Sequence, residues 1–214
     1  MDTSPEKKRR GRPAHTAAIG REGLIDATLE LLRSIAPTDL TLQDIARQVK
    51  VDPALIRYYF GGKDGLLRAA TLHLMDVTQL GAQALADGQG VEAMLYGRIR
   101  LIIDIGRQNP HFVQLVLREI YQGDDPEPGA VLDLIAQRGV ALSAAILEAR
   151  PPAPALPVID ARMLHVALVG ACTFFATAQP LFGVLFNGSS DEALAEQYSR
   201  FLTGLLLRGI GAAP

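Results

Sequence analysis

Two complete helix starts and one helix stop fall inside a single short stretch, TLQDIARQVKVDPALIRYYFGGKDGL at residues 41–66. Together they leave the chain few ways to fold there. Thr41 can cap a helix with its hydroxyl, Asp44 can reach back to the Thr41 N–H, and Leu40 can close over Ile45. That helix runs to about Val49. Asp52 opens a second helix with Pro53 at its first position, where a missing N–H costs nothing, and Val51 can close over Ile56. Gly61 and Gly62 stop it after Phe60. Two helices of about eight residues, joined by a turn of about three or four, have helix-turn-helix spacing.

The flanking sequence is helical in pattern as well. Upstream, Leu24, Ala27, Thr28, Leu31 and Ile35 share one face of a helix that Pro37 is expected to end. Downstream the pattern predicts helices over 63–86, 91–108, 111–121, 129–149, 160–175 and 192–207, with GDDPEPG and RPPAPALP as loops. No alternating run longer than four residues is bounded by strand-type turns, and no internal repeat is present. The expected fold is all-α: an arm over 1–17, a helix-turn-helix head over 18–65, and a helical body over 66–214 joined to the head by a long helix.

On a helical wheel, Ile56, Phe60 and Tyr59 form one apolar face of the second short helix, suited to packing on Ile45 and Val49. Ala54, Arg57 and Tyr58 fall opposite. A small residue, an arginine and an aromatic make a poor core but suit a DNA major groove. The backbone can approach at Ala54, Arg57 can fork onto guanine or phosphate, and Tyr58 offers a ring and a hydroxyl. Leu55, on the flank, can meet a thymine methyl.

Charge supports that reading. Residues 1–68 hold 12 Lys and Arg against 9 Asp and Glu, a net of +3, whereas the remainder holds 9 against 14, a net of −5. The basic end opens with KKRRGRP, in which Arg9, Arg10 and Arg12 flank a glycine in the manner of a minor-groove-binding arm. Lys63 begins the next helix, where free N–H groups already favour a phosphate.

Here the residues carry a resemblance. Thr41, Ile45, Ala46, Val49, Val51, Tyr59, Phe60, Lys63 and Leu66 fall at the spacing of the DNA-binding signature of TetR-family transcriptional regulators. The likeness is close over about residues 19–67 and holds in outline beyond. NPHFVQLVLREI and LVGACTFFATAQPL resemble a common ligand-domain subtype. The resemblance implies a homodimeric repressor that leaves a palindromic double-stranded operator when a small-molecule effector binds. It places Thr41 and Gln43 at the backbone and groove edge, Pro53, Ala54, Leu55, Arg57 and Tyr58 in the groove, and Tyr59 and Lys63 on phosphate. Three residues depart from the family pattern: Lys50 stands where glycine is usual in the turn, Leu55 where a hydroxyl residue is frequent, and Arg57 where tyrosine is.

In the body, polar or aromatic residues amid apolar runs are candidate cavity residues: Tyr96, Arg100, His111, Phe112, Arg118, Glu119, His165, Phe174 and Phe175. Leu194, Tyr198, Phe201, Leu202 and Leu205 form a stripe on the last helix. Met163, Val166, Ala167 and Gly170 form a small-residue face on the one before. Both are expected at a dimer interface, since two-fold DNA half-sites require two heads.

Other chemistries find little support. Cys172 is the only cysteine, which excludes an intrachain disulfide or a thiolate zinc cluster and suits a reducing compartment. The four histidines lack ligand spacing, so neither metal nor cofactor is expected. There is no nucleophile elbow, phosphate loop or carboxylate pair, so an enzyme is not expected. The charge-free segment 163–187 is long enough to cross a bilayer, but His165, Gln179 and Pro180 interrupt it and basic anchors are missing. A buried or interface helix is expected instead, together with a cytoplasmic location, because the basic start is not followed by the apolar run of a signal peptide. A ligand-independent DNA-binding dimer, an architectural DNA-binding protein and a helical enzyme are the alternatives.

Overall fold

The computed structural model describes residues 19–86, 90–121, 128–152, 158–187 and 192–212. Among these there is no strand. The head consists of α1 (Arg21–Leu31), α2 (Leu42–Val49) and α3 (Pro53–Phe60), and α4 (Lys63–Ala86) leads from it into the body. Ile45 and Ile56 are fully buried against Leu24, Leu40, Leu66 and Leu67, so the first turns of α4 belong to the head's core. The arm residues Arg9, Arg10 and Arg12 lie outside the described residues.

Helix α1 ends well before Pro37. The Arg33 and Ser34 N–H groups turn back to the Glu30 and Leu31 carbonyls, so the helix tightens into turns once Leu24, Ile25, Ala27 and Thr28 are buried. Leu31 and Ile35 are only half-buried.

The body is built around α5 (Val91–Gln108), which packs on α4, on α8 (Ala161–Thr177) and on α10 (Glu192–Gly209). Asp160 caps α8 by accepting the Arg162 N–H at 2.8 Å. Helix α7 (Pro128–Glu148) covers the space between α4 and α8. The expected helix over 111–121 divides into α6 (Phe112–Leu115) and a π-helical continuation, Val116–Tyr121. Adjacent residues of the continuous coil point to different sides. Leu115 enters the head's core while Val116 faces the body.

The apolar stretch over 163–187 is two helices, α8 and α9 (Gln179–Leu185), bent by 78°. Among the described residues no single helix is long and apolar enough to cross a membrane. Phe175 lies at the bend, stacked on Phe182 at 4.8 Å and on Tyr198 at 4.3 Å between centroids.

Candidate nucleic-acid interface and effector cavity

Both helix starts in the head form as their side chains dictate. The Asp44 N–H donates to Thr41 Oγ1 at 3.2 Å and the Thr41 N–H donates to Asp44 Oδ2 at 3.1 Å, a complete capping box. The Thr41 hydroxyl and N–H together hold the Asp44 carboxyl below its usual range. At the next corner Asp52 Oδ1 accepts the Ala54 N–H at 2.7 Å. Between them Lys50 adopts the left-handed conformation, φ 57° and ψ 45°, and the Val51 N–H reaches the Ala46 carbonyl at 3.0 Å. The turn is thus made with a side chain where glycine would relax it. The glycine that cannot be replaced sits further on. A Cβ at Gly65 would lie 2.0 Å from the Phe60 carbonyl oxygen, so the α3–α4 corner closes only around a hydrogen.

This frame turns one face of α3 outward. Ala54 and Arg57 are exposed, Tyr58 is 80% exposed, and its ring meets Tyr59 edge-on at 5.2 Å. Tyr59 is 40% exposed at the border of the apolar face, and Pro53 and Leu55 are half-buried. Thr41 and Gln43 are exposed at the start of α2. Lys63 is partly buried and donates from Nζ to the Thr38 carbonyl at 3.3 Å, which ties the α1–α2 connection to the start of α4. Arg47 also shares the exposed surface of α2; its spacing had not singled it out.

In the body, α4, α5, α6 with its π-helical continuation, α7 and α8 line a partly open cavity of about 280 Å³. Its walls are mostly apolar, with Met75, Ile102, Val113, Val116, Ile135 and Leu142 among them. Thr78 and Thr173 reach it too, but their hydroxyls donate to the Leu74 and Val169 carbonyls of their own helices. The polar end is formed by Arg98 and His165. Arg98 is only 5% exposed. Its Nη1 donates to Ser143 Oγ at 2.9 Å and its Nη2 to the Gly139 carbonyl at 3.1 Å. Nη2 also lies 2.8 Å from His165 Nδ1. Arginine has no acceptor, so Nδ1 must accept and the imidazole proton resides on Nε2. Burial, and then the Arg98 charge, lower the His165 pKa. The ring rests on Gly139, where a Cβ would come within 2.4 Å of His165 Cε1.

Of the nine expected cavity residues, Phe112 and His165 line it. The others serve elsewhere. Tyr96 donates to Glu196 at 2.5 Å, and Arg100 pairs with Asp104 at 2.8 Å and Glu192 at 2.5 Å, clamping α10 to α5. Arg118 lies 3.4 Å from Asp64 and 3.0 Å from Glu119, at the junction of the π-helical segment with α4. Glu119 is buried there, and burial raises its pKa. His111 precedes α6 outside the cavity wall, Phe174 is exposed, and Phe175 is core. Arg98 was missed although a signal existed. Val91, Leu95, Arg98 and Ile102 form one i, i+4, i+7, i+11 stripe, which places an arginine on the apolar face of α5. Arg100 is off that stripe.

The expected dimer stripes divide similarly. Met163, Val166, Ala167 and Gly170 are exposed on α8, as are Phe201 and Leu205 on α10. Leu194 and Leu202 face inward and are buried within the chain, and Tyr198 is half-buried with its hydroxyl donating to the Ala171 carbonyl at 3.2 Å. An 18-residue helix packed on α5 must turn one side of its stripe inward.

The family described as bacterial regulatory proteins, tetR family, matches residues 24–70, from α1 into α4. The head is a TetR-family head. The HTH-type transcriptional regulator BetI 1 of Chromohalobacter salexigens is 42% identical over 87 residues, 40% of this chain and 42% of that protein. The chain thus spans about two fifths of the length of that curated relative. Whole-chain likeness is to solved structures. A TetR-family bacterial regulatory protein from Rhodococcus RHA1 aligns with a TM-score of 0.68 at 17% identity, covering 94% of this chain and 100% of that one. AibR in complex with isovaleryl coenzyme A and operator DNA aligns with 0.64 at 15%, covering 86% and 96%. At such identities these two show that the chain, body included, shares their fold.

Proposed function

We propose that this TetR-family chain is a sequence-specific DNA-binding transcriptional regulator, a homodimeric repressor released from a palindromic operator by a small-molecule effector. The observation that carries the reading is the outward face of α3: Ala54, Arg57 and Tyr58 are held clear of a fully buried three-helix core. On this reading residues 18–65 bind DNA, with Thr41, Gln43, Tyr59 and Lys63 on the backbone and the arm beside them, and residues 66–214 dimerise and hold the effector. The exposed apolar residues Met163, Val166, Phe201 and Leu205 favour pairing with a second copy through α8 and α10. The effector occupies the cavity. From there Val116 and Leu115, adjacent in sequence, link the cavity wall to the head's core, so displacing the π-helical segment displaces the head. An operator complex of a protein with this fold supports the DNA reading.

One set of variants tests it, using DNA fragments selected by binding to the chain. Arg57→Ala and Tyr58→Ala are expected to weaken operator binding by about 1–3 kcal/mol each where a base contact is lost, with helix content intact. Phe201→Glu combined with Leu205→Glu should yield monomers in sedimentation and much weaker binding to a palindrome. Parent-like affinity in both α3 variants would remove the groove-reading assignment. An undiminished dimer would remove the interface.

A further inference from the structure

The effector's chemistry can be read from Arg98. No carboxylate among the described residues lies within ion-pairing distance of it; its named partners are the Ser143 hydroxyl, the Gly139 carbonyl and the neutral His165 ring. The guanidinium is therefore buried with its charge uncompensated, and N–H groups remain beyond those three contacts. Desolvation lowers its pKa to about 10, which still leaves it charged at neutral pH. An apolar side chain would fill this position on the stripe at no loss, or a gain, in stability. The arginine also borders a cavity whose remaining wall is mostly apolar; Gln79, which donates to the Ile135 carbonyl, and Tyr121 are polar but uncharged members of that wall.

We propose that the cavity binds an amphipathic monocarboxylate, its carboxylate paired with Arg98 and its apolar part lying along α4, α6 and α7. The proposal rests on the cavity's being the effector site. A planar carboxylate matches the guanidinium fork. A cationic ligand would add a second uncompensated charge, and a neutral one would leave the first. A dianion would bring more charge than one guanidinium neutralises, because the neutral His165 supplies at most an N–H. The volume lies near the lower end of small-molecule pockets, roughly 300–1,000 Å³, so the apolar part is a single chain or ring.

Calorimetric titration of the full chain without DNA tests this with four probes: octanoate, octanamide, octyltrimethylammonium and octanoyl-coenzyme A. Octanoate is expected to bind at least tenfold more tightly than octanamide, with no binding of the ammonium ion. Arg98→Met should abolish that preference while the melting temperature without probe stays unchanged or rises. The proposal is overturned if octanamide equals octanoate, if the cation binds, if no probe binds at millimolar concentration, or if Arg98→Met keeps the preference. Tighter binding of octanoyl-coenzyme A than of octanoate would also overturn it, by assigning the site to a thioester. Because no DNA is present, these outcomes are independent of operator recognition. Octanoate that binds but leaves an operator complex intact would count against the effector role alone.

Discussion

The head and the body of this chain solve the packing problem in opposite ways. In the head, Leu24, Leu40, Ile45, Ile56, Leu66 and Leu67 are all fully buried, and the corner at Gly65 is so tight that not even a methyl group fits. In the body, about 280 Å³ stays open between α4 and α8, and an arginine is buried there with no counter-ion among the described residues. A recognition helix must be held rigidly, because an error of position at α3 is an error at every base edge, so the head is filled. On the proposed function, an effector site needs interactions left unmade until the ligand arrives, and the open body fits that need. Under-packing of that kind lowers stability in the free state and, with a ligand seated as proposed, supplies affinity.

The largest expected effect contrasts the two directly. Ile56→Ala should cost about 3–5 kcal/mol, the upper part of the range for core Ile-to-Ala changes, because the closed head cannot collapse around the void. Leu142→Ala, on the wall of the existing cavity, should cost about 2 kcal/mol, the lower end of that range. Denaturant unfolding monitored by circular dichroism measures both. Equal losses would mean that the cavity wall is as tightly held as the head.

A pH effect comes next and belongs to the body. His165 has a folded-state pKa below 6.5, so the unfolded chain takes up the proton more readily than the folded one. Stability from this group is therefore complete above about pH 6.5 and is lost as pH falls below that value toward the folded pKa. The melting temperature should fall on acidification in the parent and fall less in His165→Gln. Identical acid profiles would show that burial and the Arg98 charge do not lower the histidine's proton affinity in the folded chain.

The smallest effect sharpens the account of the head. Lys50→Gly removes a left-handed side-chain conformation, which costs roughly 1–2 kcal/mol, but adds glycine's chain entropy. The net should be a stabilisation of about 1 kcal/mol or less. A destabilised variant would show that the lysine side chain contributes packing as well as shape.

Much of the head was legible from residue chemistry because its signals are local. The cap at Thr41, the proline after Asp52 and the paired glycines after Phe60 act within three or four residues of themselves, so reading them needs no knowledge of the rest of the fold. The long helices of the body were legible for the same reason, since a 3.6-residue period is a property of one segment. The limits of α1 and the π-helical continuation of α6 were not. Arg33 and Ser34 turn back after Leu31 well short of Pro37, and the coil widens after Leu115, where the chain passes from the head's core to the cavity wall.

The cavity was least legible of all. Tyr96, Arg100 and Phe175 have the composition of pocket residues, yet Glu192 and Glu196 on α10 engage the first two and Phe182 and Tyr198 engage the third. All of those partners but Phe182 come from α10, a separate segment of the chain. Sequence alone therefore determined that this chain is helical and that α3 offers Ala54, Arg57 and Tyr58 on one face. The α5 stripe put Arg98 rather than Arg100 on the inner face; only the tertiary structure decided that this face borders a cavity instead of a filled core, because α4, α7 and α8 leave that space open.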